Sequence, residues 1–132
     1  MGVPKVSVVM PVKGADPVHV RDAVQSILGQ SMGDLELVVV EDPSPRSARE
    51  VLSIIGDPRI VYVENPEPTS HSRQINQAIA MSRADWIAHM DSDDVAEPRR
   101  LEVELAALSA HPEVDVVGSA LTIISPDRSA IA

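Results

Sequence analysis

The residues best suited to bind a ligand or take part in a reaction are four consecutive polar ones, Asp91-Ser92-Asp93-Asp94. They follow an apolar run at residues 86–90 and precede a stretch at residues 97–101 that is typical of a helix start. Carboxylates a few ångströms apart repel each other unless a proton or a cation lies between them, and hard oxygen ligands favour Mg²⁺ or Mn²⁺. The cluster therefore predicts a divalent cation site, although strand-end acids also occur as helix caps or solvated turns.

Composition narrows the possible partners. The 132 residues, 44% of them hydrophobic, fit one domain over residues 1–132 with a core of its own. A formal net charge of -9 argues against nucleic acid or an anionic membrane surface as the main partner, and the absence of cysteine excludes disulfides and thiolate metal sites. No apolar run approaches the ~18 residues of a membrane span. We expect a cytoplasmic location, with membrane association only through sequence outside this chain.

Apolar runs and helical patterns alternate along the chain. Strands are predicted at residues 6–10, 35–40, 60–63 and 86–90, with a fifth that begins at 114–117 and continues towards Ile124. Helices are predicted after the cap Asp16-Pro17 and over residues 47–55, 71–82 and 99–109. Such alternation indicates an α/β fold with right-handed βαβ units on a mostly parallel sheet flanked by helices, and ligands at the carboxyl ends of the strands.

Several side chains are assigned to the interior by the same patterns. The predicted inner face of helix 71–82 consists of Ile75, Ala78, Ile79 and Ser82. Trp86 is predicted to lie in the core. His71 and His89 are the histidines nearest the predicted crevice, and we interpret both as structural, His89 as a core histidine rather than a ligand.

Polar or conformationally special residues concentrate where the first, second and fourth strands end. They are Pro11, Val12, Lys13, Glu41 and Asp42, together with the aspartate cluster. Arg73 and Asn76 lie one helical turn apart, where a guanidinium could meet phosphate or the acidic cluster, or could belong to an ordinary exposed helix face. Neither a G-x-G-x-x-G nor a Walker pattern is present, so a metal would carry more of any diphosphate binding.

The order of these motifs resembles the nucleotide-binding half of a family 2 glycosyltransferase of the GT-A fold. Residues 6–12 are similar to the family's first strand, residues 23–31 to the helix and turn after it, and residues 35–44 to its second strand. Residues 85–94 resemble the strand that bears the family's D-x-D metal motif, and Arg73 with Asn76 resembles the helix before that strand. The resemblance extends from about residue 6 to residue 118.

The resemblance implies a Rossmann-like GT-A fold and transfer of a sugar, with inversion, from a nucleotide diphosphate donor to an acceptor hydroxyl. We expect a UDP-sugar as donor and a saccharide or lipid-linked acceptor. By carry-over, Asp42 recognises the base, Asp91 faces the ribose or the metal, and Asp93 coordinates Mg²⁺ or Mn²⁺. The remaining residues that it implies in substrate binding are Pro11, Val12, Lys13, Glu41, Arg73, Asn76 and Ser92.

Two departures from the family pattern weaken the implied base contacts relative to the metal contacts. Lys13-Gly14 stands where the family often has an aromatic residue and asparagine, and Pro43 replaces a common glycine. In the family the carboxylate that deprotonates the acceptor comes from a later segment, so the catalytic base is unassigned. We expect a donor-binding part, ending after the fifth strand and lacking the acceptor-binding region, with little or no transferase activity by itself.

Three alternatives remain open from the sequence. A phospho-acceptor receiver domain has clustered aspartates, but its acid pair follows the first strand, which here ends in Pro11-Val12-Lys13. A haloacid-dehalogenase-like phosphatase carries D-x-D at the end of its first strand, whereas here the motif follows the fourth. A binding module of the same fold that has lost catalysis would also fit the missing base.

Overall fold

The structure is a computed structural model that describes residues 2–131. Strands and helices alternate along it. In chain order they are β1 (Val6–Val12), α1 (Pro17–Leu28), β2 (Leu35–Glu41), α2 (Arg49–Ile55), β3 (Ile60–Glu64), α3 (His71–Met81), β4 (Trp86–His89) and α4 (Arg100–Ala110). The four strands form one parallel sheet in the order β3-β2-β1-β4, which confirms the predicted α/β class. All four carboxyl ends therefore meet at one edge of the sheet.

The two central strands are covered on both faces. Every residue of β1 and β2 is buried, as their continuous β-branched runs predicted. Because side chains alternate along a strand, Val8 joins a core cluster with Val24 and Ile27 of α1, while Val9 joins a second cluster with Ala78 of α3. The sheet is thus held between α1 on one face and α3 on the other.

Local capping explains where the flanking helices begin. The Asp16 carboxylate accepts a hydrogen bond of 2.9 Å from the Val18 backbone N–H, and Pro17 occupies the first turn of α1, as predicted. At α3, the Ser70 hydroxyl accepts a hydrogen bond of 3.2 Å from the Arg73 backbone N–H. Both caps fix the start of a helix directly after a loop at the carboxyl edge of the sheet.

The predicted fifth strand is wrong. Within the described residues, 114–117 belong to no strand, and Val116 and Leu121 are 84% and 90% exposed. The pairing found near this segment is an isolated antiparallel bridge between Ile124 and Ala130. An apolar run becomes a strand only when a neighbouring strand takes up its backbone N–H and C=O groups, and no strand of the described part of the chain pairs with this one.

Three assignments of side chains to the interior are also wrong. Ala78 of α3 is buried as predicted, but Ile79 is 42% exposed, whereas Gln74, which the pattern did not assign to the inner face, is buried. Trp86 is 39% exposed and His89 is exposed as well. The last two lie on β4, which pairs with β1 on one side and forms an edge of the sheet, so fewer neighbours cover them.

One buried charge inside the sheet has partners far away in sequence. Glu36 is 2% exposed, and its carboxylate accepts hydrogen bonds from Ser7 Oγ at 2.6 Å and from Arg83 N at 2.7 Å and Nε at 2.9 Å. Burial by itself would raise the pKa of Glu36, but these hydrogen bonds and the Arg83 charge bring the pKa below its usual value. The pair ties the start of β2 to the turn before β4.

None of the helices described in residues 2–131 combines the length and apolar character that crossing a bilayer requires.

Candidate functional site

The carboxyl edge of the sheet is cross-linked beyond the ends of the strands. The Asp42 N–H donates to the Val12 carbonyl at 2.9 Å, and the Asn65 N–H donates to the Glu41 carbonyl at 2.8 Å. The buried Gln74 side chain at the start of α3 donates from Nε2 to the carbonyls of Val12 at 2.8 Å and Val40 at 3.1 Å. The loops after β1, β2 and β3 are therefore fixed relative to one another.

Asp42 is fully enclosed at this edge. Its carboxylate accepts hydrogen bonds from Asn65 Nδ2 at 2.9 Å, from the Thr69 N–H at 2.7 Å and from the Thr69 hydroxyl at 3.0 Å. Burial would raise the pKa of Asp42, but these hydrogen bonds, with a smaller effect of the Lys13 charge, lower it below its usual value. In this conformation both carboxylate oxygens hold the loop at residues 65–69.

Glu41 organises the start of α2 instead of facing the crevice. It is 1% exposed, and its carboxylate accepts hydrogen bonds of 2.8 Å from Ser47 Oγ, the Ala48 N–H and the Tyr62 hydroxyl. Burial, followed by the neighbouring acids, raises the pKa of Tyr62 to about 12, so this phenol remains a hydrogen-bond donor at neutral pH. The role of Glu41 in the described structure is to position a helix and a strand.

The residues after β1 differ in what they can offer a ligand. Pro11 and Val12 are buried, whereas Lys13 is exposed. Gly14 has φ +62°, and its carbonyl accepts a hydrogen bond of 2.8 Å from Arg46 Nη2. The loop after β1 thus packs against the loop after β2, and Lys13 extends its side chain into solvent beside them.

The aspartate cluster is brought together as predicted. One carboxylate oxygen each from Asp91, Asp93 and Asp94 lies within 4.8 Å of the others. Burial, and then the charges of Asp93 and Asp91, raise the pKa of Asp94. Ser92 is half-buried between them. Three hard oxygen donors with repelling charges are the donor set that suits Mg²⁺ or Mn²⁺, so the residues present fit such an ion.

Arg128 lies beside this cluster, and no sequence pattern predicted it there. Its Nη1 donates to the Asp93 carbonyl at 3.1 Å, and its Nη2 lies 3.5 Å from the Asp22 carboxylate. The backbone of Arg128 has φ +71°, a conformation usually occupied by glycine or asparagine. The contact depends on how the segment after α4 returns to the sheet, and sequence periodicity carries no signal for that path.

His89 is not the core histidine that the sequence predicted, because its side chain is exposed, and His71 beside it is exposed as well. His89 Nε2 lies 3.2 Å from the Asp91 carboxylate, and the ring of His71 meets that of His89 edge-on with centroids 6.0 Å apart. His89 and Asp91 are two residues apart, and strand alternation puts such residues on the same face of a sheet. What the sequence missed was that this face of β4 is open to solvent.

Arg73 and Asn76 are exposed on α3. In the described residues neither side chain forms a hydrogen bond or an ion pair with another residue, so the structure does not bring the Arg73 guanidinium onto the acidic cluster. In the structure Arg73 and Asn76 thus lie on an ordinary exposed helix face, which is one of the two possibilities that the sequence left open. Binding of phosphate by these residues stays a prediction.

Comparison with known proteins identifies the family to which the chain belongs. The profile of the family described as Glycosyl transferase family 2 matches residues 7–130. EpsE of Bacillus subtilis (strain 168) is 32% identical over 123 residues, which are 91% of this chain and 44% of EpsE. The chain belongs to glycosyl transferase family 2, as the motif resemblance predicted, and it spans less than half the length of EpsE.

Solved glycosyltransferase structures share the fold. S. aureus TarS 1-349 in complex with UDP superposes with a TM-score of 0.73 at 18% identity, over 89% of this chain and 38% of that one. The mannosyltransferase PcManGT from Pyrobaculum calidifontis, in complex with GDP-Man and Mn²⁺, gives a TM-score of 0.70 at 20% identity, over 96% of this chain and 37% of that one. The architecture is therefore that of GT-A glycosyltransferases, which confirms the predicted fold.

Proposed function

We propose that this chain binds a nucleotide sugar at the carboxyl edge of its sheet and serves transfer of the sugar to an acceptor hydroxyl. The observation that carries the proposal is the convergence of Asp91, Asp93 and Asp94 at the end of β4, in a family 2 glycosyltransferase without a phosphate-cradling glycine loop. Two proteins of the same fold were solved with UDP and with GDP-Man and Mn²⁺, which supports a nucleotide diphosphate as the ligand class.

Asp91 and Asp93 are the residues that we propose as ligands of Mg²⁺ or Mn²⁺, with Asp94 supporting their loop. When bound, such a cation stabilises the negative charge of a departing diphosphate. The chain's own part is to hold the carboxylates close together at the end of a short strand, where burial and then the charges of Asp93 and Asp91 raise the pKa of Asp94. Exposed Lys13 and Arg73 supply positive charge for the phosphates from the neighbouring loop and helix.

The proposed contact between Asp42 and the base has a structural requirement. Because both Asp42 oxygens accept hydrogen bonds from Asn65 and Thr69, direct contact requires the base to replace one of these donors. Asp42 therefore sets the position of the loop at residues 65–69 before any ligand arrives. We propose UDP as the nucleotide and Pro11, Val12, Glu41, Asn76 and Ser92 as residues that line or support the donor site.

The acceptor side of the reaction is proposed from family membership. We propose an inverting transfer to a saccharide or lipid-linked acceptor, in a cytoplasmic protein. Inversion requires a carboxylate that deprotonates the acceptor hydroxyl, and we assign none of the described residues to that role.

Isothermal titration calorimetry with UDP-sugars and GDP-mannose, with and without Mn²⁺, tests the proposal. We expect binding that depends on Mn²⁺ and is lost in Asp93→Ala. Asp34→Ala is the matched control, because Asp34 is exposed next to the amino end of β2, at the opposite edge of the sheet. Donor binding that survives Asp93→Ala would contradict the metal role, and no nucleotide binding with Mn²⁺ present would overturn the proposed function.

A further inference from the structure

A second group of possible ligands lies next to the aspartate cluster and has a different chemistry. His71 is the first residue of α3, His89 is the last residue of β4, and Asp91 follows two residues later. One ring nitrogen from each histidine and one Asp91 oxygen lie within 4.8 Å of one another. All three side chains are accessible to an ion from solvent.

The distances between these candidate ligand atoms can be compared with those between the ligand atoms around a bound metal ion. Ligand atoms on a tetrahedral ion at about 2.1 Å lie about 3.4 Å apart. The distance from His89 Nε2 to the Asp91 carboxylate is already 3.2 Å. His71 faces His89 edge-on at an interplanar angle of 71°, and its exposed side chain can close the remaining gap by rotation.

The backbones that carry the two histidines are fixed. The His89 carbonyl accepts a hydrogen bond of 3.1 Å from Arg100 Nη2 of α4, and the Ser70 cap holds the turn of α3 that begins with His71. Rigid supports of this kind lower the cost of ordering exposed ligands around an ion. Both histidines are therefore carried by backbone segments that other residues hold in place.

We infer that His71, His89 and Asp91 bind a borderline divalent transition-metal ion such as Zn²⁺ or Co²⁺. Imidazole nitrogens suit these ions, whereas a group made of carboxylates alone suits Mg²⁺ or Mn²⁺. Three protein ligands leave a fourth position for water. This inference needs no transferase activity and no nucleotide, so its failure and that of the proposed function are separate.

Asp91 belongs to both groups, whereas the histidines belong to one and Asp93 to the other. Substitutions of the residues that are not shared therefore distinguish the two groups experimentally. Loss of Asp91 removes a ligand from each group, loss of a histidine removes a ligand from the nitrogen-containing site alone, and loss of Asp93 removes a ligand from the carboxylate site alone. A protein that binds Zn²⁺ here withdraws an Asp91 oxygen from Mn²⁺, so Zn²⁺ lowers the apparent affinity for Mn²⁺.

The test is titration of the whole chain with Co²⁺, followed by its visible absorption, and with Zn²⁺ by calorimetry. We expect His71→Ala and His89→Ala each to weaken Zn²⁺ binding at least about tenfold, since even outer partners of metal ligands are worth that much. His19→Ala, a histidine on α1, should leave Zn²⁺ binding unchanged. Asp93→Asn should weaken Zn²⁺ binding less than either histidine variant, because it removes a nearby charge but no ligand of this site.

Three outcomes would overturn the inference. They are the absence of Co²⁺ absorption bands, Zn²⁺ affinity unchanged in both histidine variants, and Zn²⁺ affinity that falls in Asp93→Asn as far as in His89→Ala. The histidines are exposed, so circular dichroism of the variants should match that of the wild type. If either histidine variant were misfolded, conservative His71→Gln and His89→Gln variants would replace it.

Discussion

Asp42 and Thr69 join the end of β2 to the loop before α3 through both the backbone and the side chain of the threonine. The Asp42 carboxylate accepts the Thr69 N–H at 2.7 Å and the Thr69 hydroxyl at 3.0 Å, and Asn65 completes its shell at 2.9 Å. A charge that is completely buried is tolerated because each oxygen has polar partners. The loop that borders the proposed donor site is therefore held by one carboxylate.

Thr69→Ala should lower the free energy of unfolding by about 1–3 kcal/mol, because the buried Asp42 carboxylate loses one of its charge-assisted hydrogen bonds. The measurement is urea unfolding followed by circular dichroism. Thr122→Ala is the matched control, since Thr122 is exposed and should change stability by less than about 0.5 kcal/mol. Equal effects of the two substitutions would show that the Thr69 hydroxyl contributes nothing to the loop.

Asp42 should also make stability depend on pH in the acid range. Its pKa is lowered in the folded protein, so the folded state favours the ionised form, and the resulting stability is fully present above the unfolded pKa of about 3.9. That stability is lost as the pH falls through the lower folded pKa. Unfolding in urea between pH 5 and pH 2.5 should show a shallower decline for Asp42→Asn than for the wild type.

Other buried carboxylates with a lowered pKa, Glu36 among them, contribute the same background decline to wild type and variant, so the difference isolates Asp42. Asp34→Asn serves as the control, because the Asp34 side chain is exposed and forms no hydrogen bond in the described residues. A decline in Asp42→Asn as steep as that of the wild type would contradict the assigned role of this carboxylate.

Gly14→Ala should destabilise the protein by about 1 kcal/mol or more, because a Cβ raises the cost of the left-handed conformation at φ +62°. The new Cβ would also lie 2.9 Å from Ser44 Oγ, so the contact between the loops after β1 and β2 must shift. Gly118→Ala is the matched control, since a Cβ there meets nothing within 4 Å. Thermal unfolding of both variants measures the difference, and a Gly14→Ala protein as stable as Gly118→Ala would refute the strain.

The regular part of the fold was predictable because it is encoded locally. Continuous β-branched runs and helical periodicity gave four strands and four helices with ends close to those observed, and the acidic cluster followed from its place after the fourth strand. The failures share one cause. Whether Trp86 and His89 are buried depends on β4 being an edge strand, and whether residues 114–117 pair depends on a neighbour, neither of which a local pattern contains.

Contacts made by distant residues were the least predictable part of the site. In the sequence, Glu36 is an isolated polar residue in an apolar strand. Its partner Arg83 lies 47 residues later and is brought next to it only by the fold. Arg128 reaches the Asp93 carbonyl across 35 residues and from a backbone conformation that favours glycine. Such partners are fixed by the path of the chain in space, so sequence reasoning could assign the carboxylates of the cluster but not the guanidinium next to them.

Asp94→Asn should raise the melting temperature of the metal-free protein and reduce the further rise that Mn²⁺ produces. The Asp94 carboxylate lies close to those of Asp91 and Asp93, and their like charges repel when no cation screens them. Removing one charge relieves that repulsion and at the same time weakens the attraction for a cation. Differential scanning fluorimetry in a chelator and in Mn²⁺ measures both effects. Asp85→Asn, at an exposed position before β4, is the control. A lower melting temperature of Asp94→Asn in the chelator would contradict the prediction, because the support that Asp94 gives its loop would then outweigh the repulsion.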